Sequence, residues 1–426
     1  MDGKRLALKQ TYLQIHHSIR DNLKVAALWL CPLAFLALFY FYPLGSILTV
    51  SFARGGERLV APILDAISSP SIRGVLWFTI WQAALSTLLT LALGLPGAYL
   101  LARFDFRGKS ILQALTGIPF VMPTLVVAAA FNALLGPRGW VNLALMSLFD
   151  LSAPPIHFVN SLVAILVAHV FYNTTIVLRM VGDFWSHLDP RMGQAAQVLG
   201  ADRWQTLRKV TLPLLFPAIA AAALLIFIFD FTSFGVILVL GGPHYATLEV
   251  EIYYQTISLF NLPLAATLSL LQLACTLGLT ILYTRLAARL ARPLSLRPRR
   301  FTQRKFTTWR VRLSAGILIA LLLTLLTTPL LALAARSFVR AGFERGQQEA
   351  SPAQLTLAYY RELSINRRQA LFYVPPTTAI MVSLGYATAT VILALALGLP
   401  ASWALSRQPN PQDSLGAFLN RTFDPI

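Results

Sequence analysis

Residues 194–213, QAAQVLGADRWQTLRKVTLP, form a polar interruption between two long apolar runs. Ala195, Ala196, Val198 and Leu199 favour a helix, Gly200 breaks it, Trp204 to Val210 resume it, and Pro213 suits the first turn of the helix that follows. The pattern predicts helix, turn, helix along a membrane face. Such a knuckle offers Ala201, Trp204 and Leu207 as apolar contacts, and Arg203, Arg208 and Lys209 as polar ones, to something in the cytoplasm.

The runs on either side are too apolar for a soluble domain. Of the 426 residues, 56% are hydrophobic and 12% charged, where soluble domains carry about 25% charged residues. A helix crosses the hydrocarbon core with about 20 apolar residues. Eight candidates lie at 25–53, 74–102, 110–136, 158–182, 213–240, 263–291, 313–335 and 376–406. Pro119 and Pro123 interrupt the third and Pro217 the fifth, which membrane helices tolerate when neighbours satisfy the freed backbone groups. The first run is too long for a signal-peptide core and no small-residue cleavage site follows it, so it is a retained span. Cys31 and Cys275 both sit inside apolar runs and define neither a disulfide framework nor a metal site.

Charge fixes the orientation. Lys and Arg number 35 against 17 Asp and Glu, and their placement decides what that excess means. With the N-terminus inside, the inner segments hold five basic residues before the first span, three in 103–109, four in 183–212 and ten from Arg285 to Arg312. The outer segments hold three in 54–73, one in 137–157 and none in 241–262; segment 336–375 is the exception, with six. This is the inside bias of a membrane protein. Basic residues alternating from loop to loop give no nucleic-acid surface, and the dense cluster after the sixth span suits a cytoplasmic linker touching anionic lipid. The prediction is an all-α membrane protein with about eight transmembrane helices and a cytoplasmic N-terminus.

An internal repeat divides the chain. LALGLPGAYLLAR at 91–103 matches LALGLPASWALSR at 395–407 in 8 of 13 positions, an offset of 304 residues. That offset sets Ile426 opposite Met122. Three regions follow: 1–292, a first unit with six spans; 293–312, a basic cytoplasmic linker; and 313–426, the incomplete start of a second unit with two spans. On this expectation the chain is a truncated form, or pairs with a second permease unit that brings another coupling segment.

Segment 194–213 resembles the cytoplasmic EAA loop of permease subunits in binding-protein-dependent ABC importers. That pattern is Glu-Ala-Ala, three residues, Gly, nine residues, Ile, one residue, Leu-Pro. Here it is Gln194-Ala195-Ala196, Gly200, Val210 and Leu212-Pro213, with every spacing kept and with Gln for Glu and Val for Ile as departures. LVAHVFYNTTIVLRM at 166–180 and LGGPHYATLEVEIYYQTI at 240–257 are similar to the fused permeases of the iron(III)/thiamine group. The resemblance implies the type I ABC importer permease fold in a prokaryotic inner membrane, with the knuckle from Gly200 to Leu207 seated on an ATPase. It implies two copies of a cytoplasmic ABC ATPase and an extracytoplasmic solute-binding protein as partners, with iron(III) or thiamine as the solute. No Gly-x-x-x-x-Gly-Lys-Ser/Thr loop occurs in the chain, so ATP belongs to the partner ATPase, and no cofactor or metal to this chain.

Within the spans, Asp230 is the one acidic residue of the fifth. A carboxylate at the bilayer centre costs about 3 kcal/mol on insertion scales, so it faces a bundle interior or a watery path. It either lines the solute pathway or is satisfied by a helix break near Gly235 or by neighbouring hydroxyls such as Thr232. His169, Tyr172 and Asn173 share one face of the fourth span and either join helices by hydrogen bonds or line the pathway with Asp230; Gln82 is similar. Glu249 and Glu251 meet a binding protein or an outer gate, or are merely solvated. Paired acids, His/Cys clusters and nucleophile elbows are missing from the sequence, which argues against enzymatic chemistry. A secondary transporter driven by an ion gradient is the alternative, since it too is built from repeats.

Overall fold

The computed structural model describes residues 30, 32–52, 61–290, 303, 305–306, 308–342, 351–363, 365 and 373–406. The basic amino-terminal stretch 1–24, most of the linker 293–312 and the end of the repeat at Arg407 lie outside these residues. Among the described residues, eight helices are long and apolar enough to cross a membrane: Pro32–Thr49, Pro70–Arg103, Thr124–Phe149, Leu162–His187, Arg203–Phe231, Leu262–Ala288, Trp309–Phe338 and Pro376–Trp403. These are called the first to eighth spans below. Spans two to seven lie in one compact unit, residues 50–356; the first and eighth belong to a separate unit and are each single helical segments.

Proline moves two of the expected boundaries. The third span begins at Thr124, not near 110, because Lys109–Leu115 and Ile118–Val121 are separate short helices. Pro123 forces its predecessor out of the helical region, and Met122 accordingly has ψ 135°. The fifth span runs unbroken from Arg203, through a wide π-helical turn at Leu207–Thr211, into Leu212–Phe231. Pro213 lacks the N–H that would bond Lys209, and in the wide turn Leu212 bonds Leu207 O instead. At its other end this span stops at Phe231, short of the expected 240; helix resumes only at Gly235.

One departure from an all-helical chain occurs in segment 336–375. Strands β1 (Val339–Gly342) and β2 (Ser351–Leu355) pair antiparallel, Val339 opposite Leu355 and Gly342 opposite Ser351. Val339 is β-branched and the pair follows directly on the seventh span, where Phe338 O accepts from Thr356 N at 2.8 Å. Helical periodicity could not show a two-strand ribbon this short.

The second span is the axis of the compact unit, packed against the fourth and fifth. Its approach to the fourth is set by Gly94, where an added Cβ would lie 2.7 Å from Val177 Cβ. Small residues permit this closeness, which gives membrane helices their packing energy where no hydrophobic effect acts between them. The seventh span lies along Thr124–Leu135, tied by Trp140 Nε1 donating to Ala332 O at 3.1 Å. The two largest apolar clusters fill the middle of the unit. One gathers Phe131, Phe158, Ile165, Phe171 and Ile237, the other Val177, Leu178, Trp185, Leu215 and Ile226.

Candidate functional site

The cytoplasmic knuckle is built from two caps. Helix Arg191–Val198 ends at Gly200, whose φ of +92° is open to glycine at little cost. Gly200 N donates to Gln197 O and Ala201 N to Ala196 O, both at 3.0 Å, the paired bonds of a Schellman C-cap. The next helix starts two residues later with Asp202 as N-cap, its carboxylate accepting from Gln205 N at 2.7 Å. Asp202 was not singled out from the sequence, although an acid three residues before a glutamine is a capping-box signal.

The knuckle is therefore a rigid corner welded to the fifth span. Gln194, Ala195, Gly200 and Trp204 are exposed on it, Ala196 and Ala201 half-buried, and Thr206 buried beneath. Leu207 turns inward against the cytoplasmic apolar cluster, and Leu212 and Pro213 belong to the span itself. The apolar face differs from the expected trio. Val198 and Leu199 are 87% and 88% exposed, and Trp204 66%. Three large apolar side chains are thus held out in solvent at the tip of a capped turn.

Between the two apolar clusters lies a polar band joining spans two, four and five. Asn173 Nδ2 donates to Asp230 Oδ1 at 2.7 Å, and Gln82 Nε2 donates to Asp230 O at 2.7 Å. His169 Nδ1 lies 3.0 Å from Ser86 Oγ and 3.5 Å from Asp230 Oδ1, while its Nε2 lies 2.8 Å from Ser233 Oγ. Asp230 is 1% exposed. Asp230 Oδ2 and Gln82 Oε1 are buried without partners among the described residues. Asp230 and Asn173 thus meet, whereas Tyr172 points elsewhere: its hydroxyl donates to Met122 O at 3.2 Å, at the kink before the third span.

At the other end of the unit, Glu249 accepts from Gln272 Nε2 at 2.8 Å and Glu251 accepts from Gln255 Nε2 at 2.7 Å. Burial pushes the Glu249 carboxyl above its usual range, and the bond from Gln272 pulls partly against it. Among the described residues no group of three His, Cys, Asp or Glu is placed to hold a metal ion.

Long apolar spans around a buried polar band, with an exposed capped knuckle fused to one span, define a multi-pass membrane protein. Residues 94–292 match the family described as binding-protein-dependent transport system inner membrane component. Over 269 residues the chain is 29% identical to the putative 2-aminoethylphosphonate transport system permease protein PhnU of Salmonella typhimurium, covering 63% of this chain and 93% of that one. It is 33% identical over 267 residues to the thiamine transport system permease protein ThiP of Escherichia coli, covering 61% of this chain and 47% of that one. The sulfate transport system permease protein CysT of Salmonella typhimurium is 29% identical over 230 residues, 54% of this chain and 81% of that one. A crystal structure of a bacterial ABC transporter that imports the acidic polysaccharide alginate shares the fold, with a TM-score of 0.51 at 18% identity over 66% of this chain and 100% of that chain. Residues 94–292 thus carry the likeness to this family of transport permeases. The chain is a multi-pass protein of the inner membrane, and the matching family is described as part of transport systems that depend on a binding protein.

Proposed function

We propose that segment 194–213 transmits the closure of a separate cytoplasmic ATPase to the solute path, and that Gln194, Ala195, Ala196, Gly200, Ala201 and Trp204 carry the contact. The observation that supports this most is mechanical. The knuckle is capped on both sides of its turn, and its second helix continues without a break through Leu212 and Pro213 to Phe231. A push on Trp204 therefore reaches Asp230 through one rigid element, which suits rigid-body alternating access. ATP is bound by the ATPase, one copy for each of two coupling segments.

The solute we infer is thiamine or iron(III). The 33% identity to ThiP supports this reading; the phosphonate and sulfate permeases of similar identity support the wider class of small polar solutes. Asp230 and Asn173 then stand beside the path, and the knuckle and polar band together make residues 94–292 the working permease unit.

The test is solute-stimulated ATP hydrolysis by the full chain reconstituted with its ATPase and loaded binding protein. Ala201→Asp should leave the protein in the membrane and depress stimulation severalfold, while Gln194→Glu should be tolerated. Normal stimulation in Ala201→Asp would remove the coupling assignment.

A further inference from the structure

A cleft of about 900 Å³ opens beside the knuckle, walled by the second, fifth and seventh spans, within the roughly 300–1,000 Å³ range of small-ligand sites. Its depth in the membrane is fixed by chain position: Arg103 ends the second span, Arg203 begins the fifth and Trp309 begins the seventh. All three mark the same edge, the cytoplasmic one in the orientation set by charge. One wall is apolar, with Leu95, Leu100, Val311 and Leu318. Arg103 and Arg203 line it at the ends of their spans, and no Asp or Glu lines the cleft. Arg103 Nη1 donates to Leu188 O at 3.3 Å. The Arg203 guanidinium has no hydrogen-bond or ion-pair partner among the described residues and is exposed.

An apolar wall reaching into the bilayer beneath two guanidinium groups at headgroup depth is complementary to one kind of molecule. We propose that this cleft binds an anionic phospholipid of the inner leaflet, its acyl chains along Leu95, Leu100 and Leu318 and its phosphate between Arg103 and Arg203. Basic pockets between membrane helices on the cytoplasmic side select anionic headgroups in this way, and arginine's planar fork suits phosphate. The chain's own linker is a poor occupant, since residues 291–302 add Arg292, Arg297, Arg299 and Arg300 to a cleft that is already positive. The site adjoins the knuckle without depending on the coupling role: a lipid can bind there whether or not an ATPase docks on Trp204.

The experiment uses the purified, delipidated full chain offered equal phosphatidylglycerol and phosphatidylethanolamine, with retained lipid measured by native mass spectrometry. The wild type should retain phosphatidylglycerol preferentially. Arg203→Ala should lower that preference about fivefold, the effect of one surface cation, and Ser314→Trp, which fills the cleft from an exposed position, should lower retention of both lipids. Ser314→Ala should retain lipid like the wild type, and thermal unfolding identifies any variant that is misfolded. Equal retention of the two lipids by the wild type overturns the proposal, as does wild-type behaviour in folded Arg203→Ala and Ser314→Trp. Displacement by free inorganic phosphate would make the site one for soluble anions instead, and loss of bound lipid on adding the ATPase would assign the cleft to that protein.

Discussion

Asn173 donates to Asp230 at 2.7 Å and so clamps the fourth span to the fifth. Two apolar clusters flank this bond, and Gln82 adds the second span to the same joint by bonding the backbone of Asp230. In lipid such bonds average about 0.6 kcal/mol and reach about 1.7. Asn173→Ala and Asp230→Ala should therefore couple by about 1 kcal/mol in a double-mutant cycle of unfolding in detergent. Strictly additive costs would mean that the contact does not hold the spans together.

The turn at Gly200 makes a graded prediction. Nothing lies within 4 Å of a Cβ added there, so substitution is resisted by the backbone alone. With φ at +92°, alanine should cost about 1 kcal/mol and asparagine less, while proline, fixed near −65°, cannot adopt the turn. Stimulated ATPase activity should fall in the order Gly, Asn, Ala, Pro. An Ala variant as active as the Asn variant would show that the turn's handedness is not what matters.

Asp202 should act as a cap and nothing more. Its removal in Asp202→Ala should destabilise the start of the second knuckle helix by about 1 kcal/mol, and Asp202→Ser should restore most of it. Hydrogen exchange at the Gln205 amide reports this directly, because that N–H is the one the carboxylate accepts. Unchanged exchange in the alanine variant would rule the cap out.

Much of this architecture was legible because apolar length is a strong signal: the number of spans is as expected, and six of them lie close to their expected bounds, while the third is displaced to Thr124–Phe149 and the fifth to Arg203–Phe231. The boundaries at 124 and 231 were not, since Pro119 and Pro123 are compatible with either a kink or a break and only packing decides. Gly200 announced the turn, yet the exposure of Val198 and Leu199 was hidden. On an isolated sequence, apolar residues in a helix read as core, and here they face outward. The Asp230 joint was half visible. A costly carboxylate marked the position, but its partners Asn173 and Gln82 are 57 and 148 residues away, a distance that no local pattern spans.

Orientation can be checked chemically. In a background with Cys31 and Cys275 replaced by serine, Ser71→Cys and Ser152→Cys should react with an impermeant thiol reagent from outside. Ser110→Cys should react only after permeabilisation. All three serines are exposed, so access is decided by the membrane and not by burial. Labelling of position 110 in intact cells would invert the arrangement and move the knuckle to the wrong side.

The last prediction concerns pH and rests on Glu249, which lies outside the spans at Leu248–Tyr253. Its carboxyl is raised above the ordinary 4.5, chiefly by burial and in spite of the bond from Gln272. The folded protein then holds a proton there that the unfolded chain has already lost. Stability from this group is full below 4.5 and falls as pH rises through the raised value, so Glu249 should weaken the protein at neutral pH relative to mildly acid pH. Gln272 Oε1 is also buried without a partner. Glu249→Gln removes the charge and adds an N–H₂ that can donate to that oxygen. The variant should unfold at a higher temperature than the wild type at neutral pH and lose the decline just above pH 4.5. A wild-type pH profile in Glu249→Gln would show that the decline arises from another group, and a lower melting temperature at neutral pH would show that the ionised carboxylate is wanted where it stands.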